Sequence, residues 1–315
     1  MKKYLITGGA GFIGSNIVKK VLEQGDFVRV ADDFSTGRRE NVEEFLTNPN
    51  FELIEGDLTD FEVVKKAVKG MDFVFHQAAV PSVQRSVEDP LKSNNANVNG
   101  TLNMLIASRD EKIKRFIYAA SSSVYGDNPD LPKKESFPPM PISPYALTKY
   151  AGERYCQIFW KIFGLPTICL RYFNVFGPKQ NPKSQYAAVI PNFIIAALTG
   201  QKPRIYGDGT QSRDFTFIDN VVEANLLAVK AENGFGEVFN IACNEETSLN
   251  NLLLMIGGIV GEEIMAEYDT ARVGDVPHSR ADISKAEKVL GYKPKIKIVD
   301  GLKKTIDWYK DNEKQ

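Results

Sequence analysis

The stretch YLITGGAGFIG, residues 4–14, decides the fold of this chain. The β-rich run YLIT leads into a turn that carries Gly8, Gly11 and Gly14, and a segment of helical length follows over Ser15–Gln24. Glycines let a backbone approach a phosphate closely, and the amides and dipole at a helix N-terminus favour its charge. A glycine triplet alone is a weak signal, but its position between a strand and a helix predicts a dinucleotide site.

The same alternation of strands and helices continues through the N-terminal half. Segments of helical length, such as Phe61–Lys69 and Pro90–Arg109, separate the β-rich runs FVRVAD, FELIEGD, FVFHQAA and RFIYAAS. Continuous apolar strands that alternate with helices predict a parallel sheet covered on both faces. Right-handed crossovers then give a doubly wound α/β fold of the Rossmann type, with ligands at the carboxyl ends of the strands.

The alternation weakens after the strand TICLRYF, where turn-rich segments begin. We therefore predict a nucleotide-binding domain over residues 1–173 and a smaller α/β lobe, mainly for substrate, over residues 174–315. The apolar run EVFNIAC is a further strand, and we expect the chain to return to the first domain around residues 214–243.

Composition excludes several classes of protein. The 315 residues carry a formal charge of −1, which gives no indication of a nucleic-acid or acidic-membrane partner. The apolar stretch near the start is too short for a signal-peptide core, and no run approaches the ~18 apolar residues of a membrane span. Three scattered cysteines without CxxC spacing are expected to be reduced thiols of a cytoplasmic protein. His76 and His278 have no metal-ligand partners at suitable spacing, so no metal is expected.

Two acidic residues, Asp32 and Asp33, end the second predicted strand. A carboxylate there can accept hydrogen bonds from both ribose hydroxyls and repels a 2′-phosphate, so the pattern favours NAD over NADP. Asp57 ends the third strand at the same edge, where it could bind the cofactor or cap the next helix.

Tyr145 and Lys149 are four residues apart in SPYALTKYAGE and therefore lie on one face of a predicted helix. A tyrosine with a pKa of ~10 is a poor base at neutral pH. A nearby ammonium and a positive nicotinamide ring favour its phenolate, and lowering the pKa by ~3 units takes ~4 kcal/mol. YxxxK alone is common on surface helices, so its value comes from its conjunction with the glycine turn and with the serines of AASSSVYG.

Taken together, these motifs resemble those of the extended short-chain dehydrogenase/reductases, and among them the nucleotide-sugar 4-epimerases. The pattern is followed in order, over nearly the whole chain, by TGGAGFIGSN, SSSVYG, SPYALTKYAGE, LRYFNVFGP, GDGTQSRDF and RVGDVPHSRADISKA. The likeness is greatest to the bacterial and archaeal branch that acts on UDP-N-acetylglucosamine.

The resemblance implies an NAD-dependent isomerase that inverts C4 of a UDP-hexose through a transient 4-keto sugar. Tyr145, Lys149 and Ser121 would be its catalytic residues. Ser122 and Ser123 stand where related dehydratases carry an acidic pair, and serines of ordinary pKa cannot do that acid–base work. The triplet therefore permits oxidation at C4 without loss of water.

The resemblance also implies two sets of binding residues. For the cofactor these are Gly8, Gly11, Phe12, Ile13, Gly14, Asp32, Asp33, Ser35, Gly37, Asp57, Leu58, Gln77, Ala78, Ala79, Asn97, Tyr145, Lys149 and Tyr172. For the substrate they are Ser121, Ser122, Ser123, Tyr145, Asn174, Val189, Tyr206, Arg213, Arg272, Asp275 and Ser279.

Within the second set, Asn174, Arg213 and Arg272 would hold the diphosphate, because a guanidinium gives phosphate bidentate, charge-assisted bonds. Tyr206 would lie against uracil and Asp275 would meet the uridine ribose. Arg213 could instead form a surface pair with its neighbour, and Tyr206 could be a core residue.

Two positions set this chain apart within the resemblance. Ser279 stands where epimerases restricted to UDP-glucose and UDP-galactose carry a tyrosine, so we expect acetylated sugars and plain hexoses to be accepted. Pro81 replaces a lysine that some epimerases use near the cofactor pyrophosphate, which leaves the contacts of that loop open; Arg85 could compensate.

Three other readings remain. A UDP-glucuronate 4-epimerase would use the same chemistry, but its relatives usually have RYFTVYG where this chain has RYFNVFG. A dehydratase or reductase is opposed by Ser122 and Ser123, and a non-catalytic NAD-binding protein is opposed by the intact Tyr145, Lys149 and Ser121.

A homodimer is expected by resemblance; a helical face with Tyr155, Phe159 and Phe163 could pair subunits or belong to the core.

Overall fold

The protein is described by a computed structural model over residues 1–182, 188–270 and 277–312. Its strands are β1 (Lys3–Thr7), β2 (Phe27–Asp32), β3 (Phe51–Glu55), β4 (Phe73–His76), β5 (Arg115–Ser121), β6 (Thr167–Tyr172), β7 (Val175–Phe176), β8 (Arg204–Tyr206), β9 (Ser212–Arg213), β10 (Thr216–Phe217), β11 (Glu237–Ile241), β12 (Thr247–Ser248) and β13 (Glu267–Asp269).

Its α-helices are α1 (Phe12–Glu23), α2 (Glu40–Glu43), α3 (Phe61–Val68), α4 (Val83–Glu88), α5 (Pro90–Asn94), α6 (Gly100–Asp110), α7 (Pro144–Phe163), α8 (Val189–Leu198), α9 (Ile218–Lys230), α10 (Leu249–Val260), α11 (Ser284–Leu290) and α12 (Ile298–Asn312). A π-helical stretch, Asn95–Asn99, joins α5 to α6, and a 3₁₀ turn, Ser122–Tyr125, follows β5. None of the helices in the described ranges is long and apolar enough to cross a membrane.

Seven strands form one sheet in the order β3-β2-β1-β4-β5-β6-β11. Every neighbouring pair in it is parallel. The predicted parallel, doubly wound α/β fold is confirmed. The strand order reverses between β1 and β4, which is where ligands bind in folds of this kind.

Apolar cores cover both faces of this sheet. Successive strand residues point to opposite faces, so Ile6 lies in the core beneath α1 and α9, whereas the adjacent Leu5 lies in the core beneath α3 and α6. Both side chains are fully buried. This two-sided burial explains why the strands read as unbroken apolar runs.

The chain beyond residue 174 contributes to the sheet as well as to smaller elements. β11 pairs with β6 in parallel, with Val238 opposite Cys169. The short pairs β7–β10, β9–β12 and β8–β13 lie outside the sheet, and α8 packs against α10 and α12. The division into two domains at residue 173 stays a prediction.

The boundaries of α7 follow from local chemistry. The Ser143 hydroxyl accepts a hydrogen bond from the Ala146 amide at 3.2 Å, and Pro144 occupies the first turn. Gly164 ends the helix in a left-handed conformation, φ +71°. A second serine, Ser86 of α4, accepts a hydrogen bond from the Tyr145 amide at 3.0 Å and ties this end of α7 to the loop after β4.

Candidate active site

The turn between β1 and α1 leaves no room for side chains. Gly8 has φ +66°, and its amide donates to Ala31 O at 2.9 Å. A Cβ on Gly14 would stand 2.1 Å from Gly8 O. The turn therefore closes tightly, and the N-terminal amides of α1 face the carboxyl edge of the sheet, as phosphate binding requires.

A cavity of about 440 Å³ runs along this edge, across the point where the strand order reverses. Of the predicted cofactor residues, the following line it: Gly8, Gly11, Phe12, Ile13, Gly14, Asp32, Asp33, Ser35, Gly37, Asp57, Leu58, Gln77, Ala78, Ala79, Tyr145, Lys149 and Tyr172. The cavity thus extends from the acids after β2 to the YxxxK helix.

The two acids after β2 have different surroundings. Asp32 is buried, and its carboxylate accepts hydrogen bonds from the amides of Ala10 and Phe34 at 2.8 and 2.9 Å. Burial raises the pKa of Asp32, while these two hydrogen bonds oppose the rise. Asp33 is exposed to the cavity and meets only the amide and hydroxyl of Ser35. Asp32 therefore fastens the glycine turn, and Asp33 is the acid placed to accept from ribose hydroxyls.

Asn97 does not line the cavity. It is 1% exposed. Its side-chain oxygen accepts a hydrogen bond from the Val80 amide, and its side-chain nitrogen donates to Val80 O and to the Thr148 hydroxyl. Its side chain holds Val80, which lines the cavity, and a direct contact of Asn97 with the cofactor stays a prediction.

Tyr145, Ser121 and Lys149 meet at the far end of the cavity. The Tyr145 hydroxyl lies close enough to Ser121 for that hydroxyl to lower its pKa, and the Ser121 Oγ accepts a hydrogen bond from the Ser123 hydroxyl at 2.9 Å. Lys149 is 4% exposed, and its ammonium donates to Ala119 O at 2.8 Å. Two elements distant in sequence, β5 and α7, thus bring a phenol, a hydroxyl and an ammonium to one place.

Burial opposes the charges that catalysis needs here. It lowers the pKa of Lys149 to about 8. It also raises the pKa of Tyr145, which the Ser121 hydrogen bond partly counters. The phenolate therefore needs further positive charge in the cavity before it can form near neutral pH.

Tyr172 borders the same end of the cavity through a buried polar network. Its hydroxyl bonds to Asn225 at 2.9–3.0 Å and to Gln77 at 3.2–3.3 Å. Burial raises the pKa of Tyr172 to about 12, so it stays a neutral phenol at this wall.

A second cavity of about 520 Å³ adjoins the first, and Ser82 and Ala188 line both. Four predicted substrate residues, Asn174, Val189, Tyr206 and Arg213, line it. The Arg213 guanidinium donates to Ser212 O at 2.8 Å and to Pro277 O at 3.2 Å, which holds it at the cavity.

The remaining predicted substrate residues lie elsewhere. Ser122 and Ser123 belong to the 3₁₀ turn that directly follows Ser121, and none of these three serines lines either cavity. Ser279 is half-buried and donates its amide to Ser212 O at 3.1 Å, next to Arg213 but outside both linings. Arg272 and Asp275 lie outside the described residues.

Several lining residues were not predicted. Arg38 and Lys179 line the first cavity and Gln211 the second. Ser82, with φ +88°, lies between the two cavities. Gln211 stands within the motif GDGTQSRDF but is not among the predicted site residues, whereas Arg38, Lys179 and Ser82 lie in none of the quoted motifs; the packing of loops around the cavities places all four there. Within the described ranges, no group of three or more His, Cys, Asp and Glu side chains could hold a metal.

The sequence profile of the NAD-dependent epimerase/dehydratase family matches residues 4–242. This chain belongs to that family. NAD is its cofactor, and the first cavity fits it: the glycine turn has no space for a Cβ, a helix N-terminus faces the cavity, and an exposed acid follows β2.

Relatives of this epimerase/dehydratase extend over the whole chain. The UDP-glucose 4-epimerase of Mycolicibacterium smegmatis is 36% identical over 309 residues, 98% of each chain. A solved UDP-N-acetylglucosamine 4-epimerase of Methanobrevibacter ruminantium, in complex with UDP-N-acetylmuramic acid, is 40% identical with a TM-score of 0.93, covering 98% of each chain. The UDP-glucose 4-epimerase of Thermotoga maritima with UDP-glucose is 38% identical over 99% of each chain, also at 0.93.

Proposed function

We propose that the protein is an NAD-dependent UDP-sugar 4-epimerase that interconverts UDP-N-acetylglucosamine and UDP-N-acetylgalactosamine, and also UDP-glucose and UDP-galactose. The observation that carries this proposal is the position of Tyr145, which lies beside Ser121 and lines a dinucleotide cavity that adjoins a second cavity with an arginine and a tyrosine. Relatives named as epimerases of such sugars support it.

The second cavity suits a nucleoside diphosphate. Arg213 supplies a planar donor for phosphate oxygens, and Asn174 adds an amide beside it. Tyr206 supplies an aromatic surface for the uracil ring. Arg272 and Asp275 complete the proposed set by resemblance. An anchor on the nucleotide leaves the sugar free to turn, which inversion by a single active site requires.

The catalytic steps follow from the residues around Tyr145. As a phenolate, Tyr145 takes the proton of the C4 hydroxyl, and the Ser121 hydroxyl hydrogen-bonds the same oxygen and relays the proton. The Lys149 ammonium supports the phenolate electrostatically. When bound, NAD supplies the hydride acceptor and a positive ring charge. Tyr145 returns the proton after the keto sugar has presented its opposite face.

The residues proposed to surround the sugar lack the acid–base group that a dehydratase needs to remove water after C4 has been oxidised. Among the described residues, none that lines the second cavity carries a carboxylate. The acids that line the first cavity, Asp32, Asp33 and Asp57, stand after β2 and β3. Ser122 and Ser123, which follow Ser121 in the chain, offer only hydroxyls, so they supply no acid–base partner for a C5 proton.

Ser279 supports acceptance of the acetylated sugars. It is a small side chain on a segment whose backbone bonds to the strand that bears Arg213. A small residue leaves space for a 2-N-acetyl group, whereas a tyrosine there would occupy it.

A homodimer is the assembly that we propose. α7 exposes Leu147, Ile158 and Ile162, which lie on one helical face, and Leu91 of α5 is 77% exposed. Phe159 belongs to the core, which accounts for one of the three aromatic residues considered for this face. A second copy with the same stripes would cover them, and sedimentation equilibrium measures the resulting mass.

The decisive experiment is incubation of the purified protein with UDP-N-acetylglucosamine and separation of the product sugars. N-acetylgalactosamine in the product supports epimerisation, and parallel reactions with UDP-glucose and UDP-glucuronate define the range of sugars. Release of a 4-keto-6-deoxy sugar would indicate a dehydratase. No conversion of any sugar nucleotide, with NAD bound, would contradict the proposal and favour a non-catalytic protein.

A further inference from the structure

A buried ion pair joins α7, the helix that carries Tyr145 and Lys149, to strand β6. Arg171 of β6 donates from Nε and Nη2 to the two carboxylate oxygens of Glu153 of α7, at 2.8 and 2.7 Å. Their side chains are 3% and 1% exposed. Removing two charges from water costs free energy, and in many proteins a buried ion pair is therefore no more stabilising than apolar residues of the same size. Stability alone therefore does not account for two charges in this core.

Glu153 stands on the same face of α7 as Lys149, one helical turn away. The side chains of Glu153 and Lys149 are both buried, so the electrostatic interaction between them is only weakly screened by salt. Burial lowers the pKa of Lys149, and the negative charge of Glu153 is what raises it.

The other groups around Lys149 cannot replace that charge. The ring centroid of Tyr118, in β5, lies 5.2 Å from Lys149 Nζ, and burial raises the pKa of the Tyr118 hydroxyl well above its usual value. His76 of β4 is neutral, because burial lowers its pKa to about 3. Tyr145 is neutral until it ionises. Among the groups of the described residues that act on Lys149, Glu153 is therefore the one whose negative charge favours the ammonium.

Arg171 keeps that charge in place. Burial raises the pKa of Glu153, and the hydrogen bonds and charge of Arg171 lower it. The guanidinium stacks on the Tyr125 ring at 4.7 Å, and the Tyr125 hydroxyl donates to Asn240 at 2.7 Å. The pair is thus held as a dipole, with its negative end on the helix of Lys149 and its positive end in the sheet.

We propose that Glu153, held by Arg171, is a positioning residue that keeps Lys149 protonated beside Tyr145 and so sets the alkaline limit of catalysis. This inference rests on the proposed function, since it needs Tyr145 as the base. The ammonium is present below the pKa of Lys149 and is lost as the pH rises through it. Removal of the Glu153 charge moves that loss to lower pH and weakens the support for the phenolate.

The test compares the NAD-loaded wild type with two variants. Glu153→Gln removes the negative charge but leaves Arg171 buried and uncompensated, which can prevent folding. The double variant Glu153→Met/Arg171→Met removes both charges and keeps the side-chain volume. Glu55→Gln is the matched control, because both carboxylate oxygens of Glu55 lie 2.7 Å from Arg39 Nη2 in an ion pair that is exposed.

Two quantities are measured as a function of pH: kcat, and the near-ultraviolet phenolate absorbance of Tyr145, taken as the difference from the same protein with Tyr145→Phe. In both Glu153 variants the alkaline limb of kcat should move down by about one pH unit or more, and the phenolate should form at higher pH. The Glu55 control should leave both curves in place.

A folded double variant with the wild-type pH profile and phenolate titration would overturn the inference, because Glu153 would then be only a packing residue. Loss of kcat by the same factor at every pH would overturn it as well. A wild type that converts no sugar nucleotide would instead count against the proposed function, and the phenolate titration would still report on Glu153.

Discussion

Acid should destabilise this protein through one buried histidine, His76, which ends β4. Its Nδ1 lies 2.7 Å from the Thr7 hydroxyl, and its Nε2 lies 2.9 Å from the Thr101 hydroxyl. Thr101 donates its own proton to Asn97 O at 2.6 Å, so it accepts from Nε2. This network suits a neutral ring, and burial lowers the pKa of His76 to about 3.

The magnitude follows from linkage. In the unfolded chain the ring titrates at about 6.5, so between that pH and the folded pKa only the unfolded state takes up the proton. The free energy of unfolding then falls by about 1.4 kcal/mol for each unit of acidification. From pH 7.5 to 4.5 the loss is about 2.7 kcal/mol, and it reaches its full value of about 5 kcal/mol only below pH 3.

Urea unfolding at pH 7.5 and 4.5 measures this effect in the wild type and in His76→Gln. The variant lacks the imidazole of His76 but keeps every other titrating group. Between these two pH values, the free energy of unfolding should therefore fall by about 2.7 kcal/mol more in the wild type than in the variant. The exposed His278→Gln is the matched control and should follow wild type. Equal losses in wild type and His76→Gln would refute the assignment of a neutral, desolvated ring.

Three further outcomes test the site. Tyr145→Phe should lower kcat about 10²–10⁴-fold, the usual contribution of a general acid–base group, while calorimetry shows NAD and UDP-sugar binding retained; near-normal turnover would remove this residue from the mechanism. Gly14→Ala places a Cβ 2.1 Å from Gly8 O and should release NAD during gel filtration, whereas Gly258→Ala, with open space around it, should retain the cofactor. Ser279→Tyr should abolish turnover of UDP-N-acetylglucosamine while UDP-glucose is still converted; equal losses on both sugars would discredit the size-selection role.

Much of the fold was predictable because its signals are local. The glycine turn between β1 and α1 and the unbroken apolar strands depend on residues adjacent in the chain. The caps of α7, Ser143 and Gly164, are local signals as well. The pairing of β11 with β6 is less visible, because 64 residues lie between the two strands and no short-range pattern records the contact.

The candidate site divides in the same way. Tyr145 and Lys149 share a helical face, which spacing alone indicates. The two adjacent acids after β2 look equivalent in the sequence, yet Asp32 turns inward to the glycine turn and Asp33 faces the cavity. Asn97, a cofactor residue predicted by resemblance, accepts a hydrogen bond from the Val80 amide and does not line the cavity, which the sequence does not indicate.

By itself, therefore, the amino-acid order determined the strand–helix rhythm, the phosphate turn and the spacing of the reactive phenol and ammonium, because each depends on chain neighbours and helix or strand periodicity. Only the tertiary structure decided that Ser121 of β5 reaches Tyr145 of α7 and that Arg171 of β6 holds Glu153 behind Lys149. Those contacts depend on how separate elements pack, and burial and charge then act across distances that the linear order of residues does not contain.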